Sequence, residues 1–247
     1  MPTRPSPGWK RRGFSKYRAT VSCGGRRRRN QMPDSNPRSP FVVTAGPTRE
    51  FLDPVRFLSN PSTGKMGFAI AAAAARRGHP VTLIAGPVSL KTPRGCERVD
   101  VVSARDMLAA AEAALAKRDG RAVFVATAAV ADWRPATCAA QKLKKSRMDG
   151  TLQLVRNPDV LKSVRAAVKV GFAAETERVL DEARRKCREK GLAFIVANDV
   201  TEPGSGFASD TNRAALVYGD GRVVSLPRQS KKRLGTAIVR ACEDFCP

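Results

Sequence analysis

Charged and amide side chains gather in two stretches of the chain and have the types needed to bind an anion. The first stretch carries Arg56, Asn60 and Lys65, and the second carries Asp132 and a basic run at 142–145. Preorganised cations and amide donors stabilise negative charge that develops in a transition state. The two stretches therefore favour chemistry on an anionic substrate.

The first stretch lies between a predicted strand and a predicted helix. The apolar run Phe41–Val43 predicts a strand, and the alanine-rich run at 68–77 predicts a helix closed by Gly78. The connection at 46–63 is far longer than a usual strand–helix turn, and such loops are typically functional or disordered. Because the first N–H groups of a helix lack intrahelical acceptors, this arrangement predicts an anion pocket.

The rest of the chain continues the alternation of apolar strands and amphipathic helices. Strands are predicted at 81–85, 99–102, 122–126, 170–174 and 192–197, followed by a hairpin at 214–224. Helices are predicted after 103, after 157, at 176–190 and at 231–245. The pattern predicts an α/β, Rossmann-like, mostly parallel sheet with helices on both faces, plus a C-terminal β-hairpin.

Two helix starts carry recognisable capping signals. Ser103 with Asp106 is a variant of the capping box, and Asn157 with Pro158 predicts a cap followed by a first-turn proline. The helix after Asn157 is expected to present an apolar stripe that extends to Val168.

Three long loops, at 46–63, 128–150 and 198–213, all follow predicted strands. Ligands of open parallel sheets bind beyond the carboxyl ends of the strands. The three loops are therefore predicted to meet at one edge of the sheet and form the site there. No internal repeat or linker divides residues 41–247.

Nucleotide-binding motifs of two common classes are absent. Gly64-Lys65 matches part of a Walker A loop, but Ser59 stands at the first glycine and Met66 replaces the magnesium-binding hydroxyl. Gly46 is followed by Pro-Thr, so no dinucleotide fingerprint follows the first strand. A short-chain reductase would also need a Tyr-x-x-x-Lys pair, which neither tyrosine of the chain forms.

The amino-acid composition argues against several further classes of site and of protein. His79, the one histidine, stands in a Gly-His-Pro turn and is expected at the surface, which argues against histidine triads and His-rich metal sites. The six cysteines form no C-x-x-C pair, and no signal peptide is visible, so reduced thiols and a cytoplasmic location are expected. The longest apolar run, at 122–131, is too short to span a membrane.

The excess of basic over acidic residues is distributed unevenly along the chain. Residues 1–40 contain 11 basic residues and one acidic residue, out of a net charge of +23. This basic tail is expected to be disordered, and three interpretations remain open: a targeting segment, a nucleic-acid contact, or an extension upstream of a true start at Met32. The remaining excess of positive charge, in 41–247, suits anionic ligands.

Several of these features also have plain structural explanations. The basic run at 142–145 is typical of a solvated flap, and Asn157 to Asp159 serve equally well as a helix cap. Lys186 and Lys190 share one helix face, where isolated lysines are usually exposed to solvent.

Taken together, however, the motifs resemble one family. The chain resembles phosphopantothenoylcysteine synthetase through TAGPTRE (44–50), DPVRFLSNPSTGKMGFAIAAAAARRG (53–78), AGPVSL (85–90), ATAAVADWRP (126–135), KLKK (142–145), NPDVL (157–161), GFAAET (171–176) and ANDV (197–200). It is most similar to the bacterial, CTP-using form and to its stand-alone type. Pro47 and Thr63 depart from the family's commoner residues without removing a group that the reaction needs.

The resemblance implies a ligase that joins 4′-phosphopantothenate to L-cysteine in coenzyme A biosynthesis through an acyl-cytidylate. It implies that Lys142 neutralises charge at the α-phosphate of CTP, that Asn60 carries the intermediate onward, and that Arg56 binds substrate. The positions that match CTP contacts are Ala126, Thr127, Ala128, Asp132, Lys142, Pro158, Asp159, Val160, Leu161, Phe172, Lys186 and Lys190.

The resemblance further implies a magnesium ion, carried with CTP and placed near Asp132, and a homodimer whose dimerisation flap completes the site of the partner. The dimer candidates are 130–150 and 198–213. Within the anion pocket, 46–63 is expected to face phosphopantothenate, while the nucleotide is held by residues 126 to 190. Two competing classes are weaker. A reductase would need motifs that the chain lacks, and a nucleic-acid-binding module is supported by residues 1–40 alone.

Overall fold

The computed structural model describes residues 38–118, 120–144, 150–175, 178–199 and 209–246, so the basic-tail prediction falls almost wholly outside the described residues. The strands are β1 (Phe41–Ala45), β2 (Arg49–Phe51), β3 (Phe57–Ser59), β4 (Val81–Ala85), β5 (Cys96–Asp100), β6 (Val123–Ala126), β7 (Trp133–Pro135), β8 (Leu154–Arg156), β9 (Val168–Glu175), β10 (Phe194–Asp199), β11 (Thr211–Tyr218) and β12 (Val223–Ser230). The helices are α1 (Lys65–Arg76), α2 (Ala104–Ala116), α3 (Val160–Ser163), α4 (Val179–Glu189) and α5 (Lys231–Glu243).

Eight of these strands form one sheet in the order β12-β11-β10-β9-β6-β1-β4-β5. The pairs from β5 across to β10 are parallel, and β11 and β12 add an antiparallel hairpin at the edge. The predicted α/β, Rossmann-like sheet and its C-terminal hairpin are confirmed. The chain runs outward from β1 in both directions, so β1 and β6 flank the point where strand order reverses.

Alternate residues of the central strands pack on opposite faces of the sheet. Val43 belongs to a core with α1 and α5, while Val42 belongs to a core with α2, α3 and α4. All residues of β1 and β4 are buried, as expected for strands covered on both faces. Helices therefore cover both sides of the sheet, and its carboxyl edge is left for a ligand.

Of the two predicted helix starts with capping signals, one is confirmed and one differs in the structure. The capping box at Ser103 and Asp106 is present, with both reciprocal hydrogen bonds formed. The helix after Asn157, in contrast, is only the four-residue α3, and its cap is Asp159, whose carboxylate accepts from the Lys162 amide. Val168 does not continue that helix, because it pairs with β6 as the first residue of β9.

Two predicted loops contain short hairpin-like sheets. The 46–63 loop folds into β2 and β3, which pair antiparallel, and β7 from the 128–150 loop pairs with β8. The sequence analysis did not predict these short strands within the long loops. The segments at 145–149 and 200–208, within the second and third long loops, lie outside the described residues.

The surface prediction for His79 was also wrong. Its side chain is buried, with Nδ1 2.9 Å from the Ser39 carbonyl oxygen and Nε2 2.9 Å from Glu243 Oε1. Arg77 donates to the same carboxylate. The turn is covered because Glu243, at the end of α5, packs onto it from the far end of the sequence.

No helix in the described part of the chain is long and apolar enough to cross a membrane. The five cysteines among the described residues, at 96, 138, 187, 242 and 246, are free thiols.

Candidate functional site

A cavity of about 700 Å³ opens at the carboxyl edge of the sheet. Residues at the ends of β1, β6, β9 and β10 form its floor, and the N-terminal turns of α1, α3 and α5 reach its walls. It therefore lies at the edge predicted from the loops, and the structure shows that the strand order reverses there.

Ten of the predicted site residues line this cavity: Ala126, Thr127, Ala128, Asp132, Pro158, Asp159, Val160, Leu161, Phe172 and Lys190. The other four, Arg56, Asn60, Lys142 and Lys186, stand outside its lining. Lys186 is half-buried on α4, one turn before Lys190.

Asn60 reaches the cavity through the chain segment that follows β6. Its Nδ2 donates to the carbonyl oxygens of Ala129 and Val130, at 3.2 Å each. Both of these residues line the cavity. The N–H groups of the Asn60 carboxamide thus bind two residues of the cavity wall.

Thr48 binds the same wall by a second hydrogen bond. It is fully buried, and its Oγ1 accepts from the Ala131 amide at 3.0 Å. Its carbonyl oxygen in turn accepts from Ser59 Oγ at 2.7 Å. The first loop and the segment after β6 therefore form one hydrogen-bonded unit.

Arg56 and the Lys142 segment also meet. The Arg56 guanidinium pairs with the buried carboxylate of Asp53 and donates to the Leu143 carbonyl oxygen at 2.9 Å. Lys142, the residue before Leu143, is exposed. The structure thus brings the predicted substrate arginine and the predicted catalytic lysine to one turn.

Lys190 and Asp159 form an ion pair across the cavity rim, with Nζ 2.7 Å from Oδ2. Burial acts to raise the pKa of Asp159, but the Lys190 hydrogen bond and the Lys162 amide outweigh it and hold the pKa below its ordinary value. The pair joins the end of α4 to the cap of α3.

The floor of the cavity depends on a close approach of α1 to the sheet. The Thr127 hydroxyl donates to the Thr44 carbonyl oxygen, and the Ala128 amide donates to Thr44 Oγ1 at 3.3 Å. A Cβ atom added to Gly67 would lie 2.5 Å from both Ala45 Cβ and Thr127 Oγ1. Only glycine lets α1 start this close to β1 and β6.

One wall combines the predicted 198–213 loop, through Asn198 and Asn212, with Lys231, which was not predicted as part of the site. Asn198, Asn212 and Lys231 line the cavity and are each more than nine-tenths buried. Within the described residues neither asparagine Oδ1 has a hydrogen-bond donor, whereas buried polar atoms are normally paired. Burial and the nearby Lys65 lower the pKa of Lys231. No local pattern identifies Lys231, because α5 brings it to the cavity from distant sequence.

Four basic side chains and two acidic ones line the cavity, so its charge favours anions. The basic ones are Lys65, Arg156, Lys190 and Lys231, and the acidic ones are Asp132 and Asp159. In the part of the chain that the structure describes, no three His, Cys, Asp or Glu side chains cluster to hold a metal.

Comparisons with known proteins agree with this arrangement. The family model for the DNA/pantothenate metabolism flavoprotein C-terminal domain matches residues 38–245. The coenzyme A biosynthesis bifunctional protein CoaBC of Escherichia coli K12 is 51% identical over 208 residues, covering 81% of this chain and 50% of that protein. The chain therefore spans about half the length of the curated relatives it matches.

Solved structures agree as well. The crystal structure of the C-terminal domain of CoaBC is 37% identical, with a TM-score of 0.68, and the match covers 83% of this chain and 94% of that one. A mutant Cab2 in complex with phosphopantothenate-cysteine shares the fold, at 17% identity and a TM-score of 0.67, covering 83% and 86% of the two chains.

Proposed function

Because the chain belongs to the DNA/pantothenate metabolism flavoprotein C-terminal domain family, we propose that it ligates 4′-phosphopantothenate to L-cysteine at the expense of CTP. The observation that carries the proposal is the cation-rich cavity at the strand-order reversal, lined by ten of the residues expected to hold CTP. The relatives named for coenzyme A biosynthesis support the pathway.

The reaction proceeds in two displacements. In the first, the pantothenate carboxylate attacks the α-phosphorus of CTP, forming an acyl-cytidylate and releasing pyrophosphate. In the second, the cysteine amine attacks the acyl carbon, CMP leaves with the bonding electron pair, and the amine proton is lost to solvent. Both steps bring anionic groups together, so positive charge and fixed donors lower the barriers.

The nucleotide occupies the part of the cavity bounded by the ends of β6 and α3. Leu161 and Phe172 provide apolar surface, while Lys190 and Asp159 provide charge at the rim. Lys65 and Lys231 supply positive charge at the N-terminal turns of α1 and α5, where helix dipoles also favour phosphate. Residues outside the range 126 to 190 thus join the nucleotide site.

Lys142 acts in the first step, and Asn60 in the second. Lys142 stands on an exposed segment that is anchored at Leu143. Its ammonium is proposed to neutralise charge at the α-phosphate. Asn60 fixes the backbone of residues 129–130 with its N–H groups, which keeps that wall in place while cysteine attacks. In this geometry the amide orients the acyl intermediate through the wall it holds.

Magnesium fits as an ion that arrives with the triphosphate. Mg²⁺ usually binds through one or two carboxylates plus substrate phosphates, and Asp132 is an exposed carboxylate on the cavity wall. Asp132 would hold the ion, whose chemistry is to neutralise phosphate charge. Asp159 is already engaged by Lys190 and the α3 cap.

We also propose a homodimer formed through the two small sheets. Exposed apolar side chains concentrate on them and nearby: Val55, Phe57, Trp133, Leu152, Leu154 and Val155. Such patches mark association surfaces. Trp133→Asp is expected to shift the protein toward monomer in sedimentation velocity, and an unchanged sedimentation coefficient would count against this surface.

A cytoplasmic location is also proposed for the protein, and cell fractionation tests this location.

The ligase proposal is tested by product analysis with purified protein. Wild type with CTP, phosphopantothenate and cysteine is expected to form phosphopantothenoylcysteine, detected by mass spectrometry. Lys142→Gln is expected to form neither product nor acyl-cytidylate, whereas Lys144→Gln, the matched control on the same segment, keeps activity. Equal turnover of both variants would refute the role of Lys142.

The second step has its own test. Asn60→Asp places carboxylate oxygens against the carbonyl oxygens of Ala129 and Val130, so the wall is repelled instead of held. The variant is expected to release pyrophosphate but to accumulate acyl-cytidylate. Normal product formation would rule out the assigned role.

A further inference from the structure

The turn between β2 and β3 is organised by one buried carboxylate. Asp53 is fully buried, and its Oδ1 accepts from the amides of Val55 and Arg56 at 2.8 and 2.9 Å. Its Oδ2 accepts from Arg56 Nε at 3.0 Å, from Arg56 Nη2 at 2.5 Å, and from the Leu143 amide at 3.1 Å. Five donors therefore meet the lone pairs of a single carboxylate.

The same turn holds the segment that carries Lys142. Leu143 is fixed at both backbone groups, because its N–H reaches Asp53 and its carbonyl oxygen accepts from Arg56. Four residues earlier, the Ala139 amide donates to the Leu52 carbonyl oxygen at 2.8 Å. The segment 139–143 is thus attached to the turn at three hydrogen bonds.

We propose that Asp53 is the positioning residue that sets Arg56 and the Lys142 segment in one register for the first step of the reaction. The inference rests on the proposed function, since it assumes the roles given there to Lys142 and Arg56. Asp53 is absent from the cavity lining, so it acts through these two residues and not on the substrate.

A negative charge is needed at this position. The Arg56 guanidinium donates two charge-assisted hydrogen bonds to one carboxylate oxygen, and a neutral amide cannot accept five donors. The hydrogen bonds from Arg56 come first among the effects that keep the pKa of Asp53 well below its ordinary range. The carboxylate is therefore ionised at neutral pH.

The test compares Asp53→Asn with wild type and with Asp106→Asn, which makes the same change in the α2 capping box. In Asp53→Asn, kcat for pyrophosphate release is expected to fall about a hundredfold, the effect of displacing a reacting group by about 1 Å. The KM for CTP should change little, because the hydrogen-bond partners of Asp53 do not line the cavity. Asp106→Asn should keep both constants.

Amide hydrogen exchange followed by mass spectrometry gives a readout that needs no activity. In Asp53→Asn the peptide covering 139–144 should exchange faster, with other peptides unchanged. Wild-type kcat and exchange in this variant would overturn the proposal, and so would a raised KM for CTP at wild-type kcat.

Exchange in the wild type keeps the proposal testable if Asp53→Asn fails to fold. The 139–144 peptide must then be protected in the wild type, and exchange at the rate of an unstructured peptide would refute the anchoring. A wild type that releases no pyrophosphate but protects this peptide would refute the ligase proposal and leave the anchoring role of Asp53 standing.

Discussion

Replacing Thr48 by valine removes one buried acceptor while nearly preserving the side-chain shape. Thr48 is fully buried, and its Oγ1 accepts from the Ala131 amide, which lies in the wall that Asn60 also holds. The valine variant keeps the methyl contacts of the threonine but leaves that amide without its acceptor.

The expected cost follows from the lost acceptor. Leaving a buried donor unsatisfied costs about 1–3 kcal/mol, and the partial burial of Ala131 places this case near about 2 kcal/mol. For a domain of this size each kcal/mol lowers Tm by about 2–4 °C, so Thr48→Val is expected to lower Tm by about 4–8 °C. Turnover should fall as well, because the wall moves.

Differential scanning calorimetry measures the stability, and Thr48→Ser is the control. The serine keeps the acceptor but loses a buried methyl group, at about 1 kcal/mol. Amide exchange of the peptide around Ala131 separates the two causes: it should quicken in Thr48→Val and stay unchanged in Thr48→Ser. Equal loosening in both variants would show that methyl packing, and not the hydrogen bond, holds the wall.

Two further predictions concern packing and pH. Gly67→Ala is expected to destabilise the protein by about 1–2 kcal/mol, because the added Cβ would lie 2.5 Å from Ala45 Cβ. This overpacking costs more than the roughly 1 kcal/mol of helix propensity gained. Urea unfolding measures the change in stability, and a stabilised variant would contradict the close approach. The hydrogen bond from Arg77 lowers the pKa of Glu243, so this carboxylate stabilises the fold above its unfolded pKa of about 4 and loses that contribution as pH falls through the lower folded value. Glu243→Gln should therefore be less stable than wild type by about 2 kcal/mol near neutral pH, with the difference shrinking below about pH 4; a difference independent of pH would refute the linkage.

Local signals in the sequence predicted the parts of the fold that local physics determines. The capping box at Ser103 and the continuous apolar strand β6 follow from residue type and spacing, and both are present. The alternation of strands and helices likewise placed the cavity at the correct edge of the sheet.

The residues whose positions were predicted wrongly or not at all have contact partners that are distant in the sequence. Val168 has helical spacing from α3, yet pairing with Val123 draws it into β9. His79 occupies a typical surface turn, yet Glu243 covers it from the end of α5. Lys231 reaches the cavity because α5 packs beside α1, and no neighbouring residue in the sequence signals this contact.

In the site, the family motifs contain most of the residues that line the cavity, but they do not indicate which hydrogen bonds fix the cavity wall. Neither Thr48 nor Asp53 has a type or spacing that signals a hydrogen-bonding hub. Their roles depend on the amides of Ala131 and Leu143, which lie 83 and 90 residues later in the chain, and only the folded chain brings these groups within reach.

The measurement that tests the central claim most directly is single-turnover pyrophosphate release with CTP or ATP, with and without cysteine. The ligase account predicts that CTP and phosphopantothenate together release one pyrophosphate per active site before cysteine is added, that cysteine then yields CMP and the amide product, and that ATP reacts more slowly. Release of orthophosphate, or no reaction with phosphopantothenate and CTP, would contradict it.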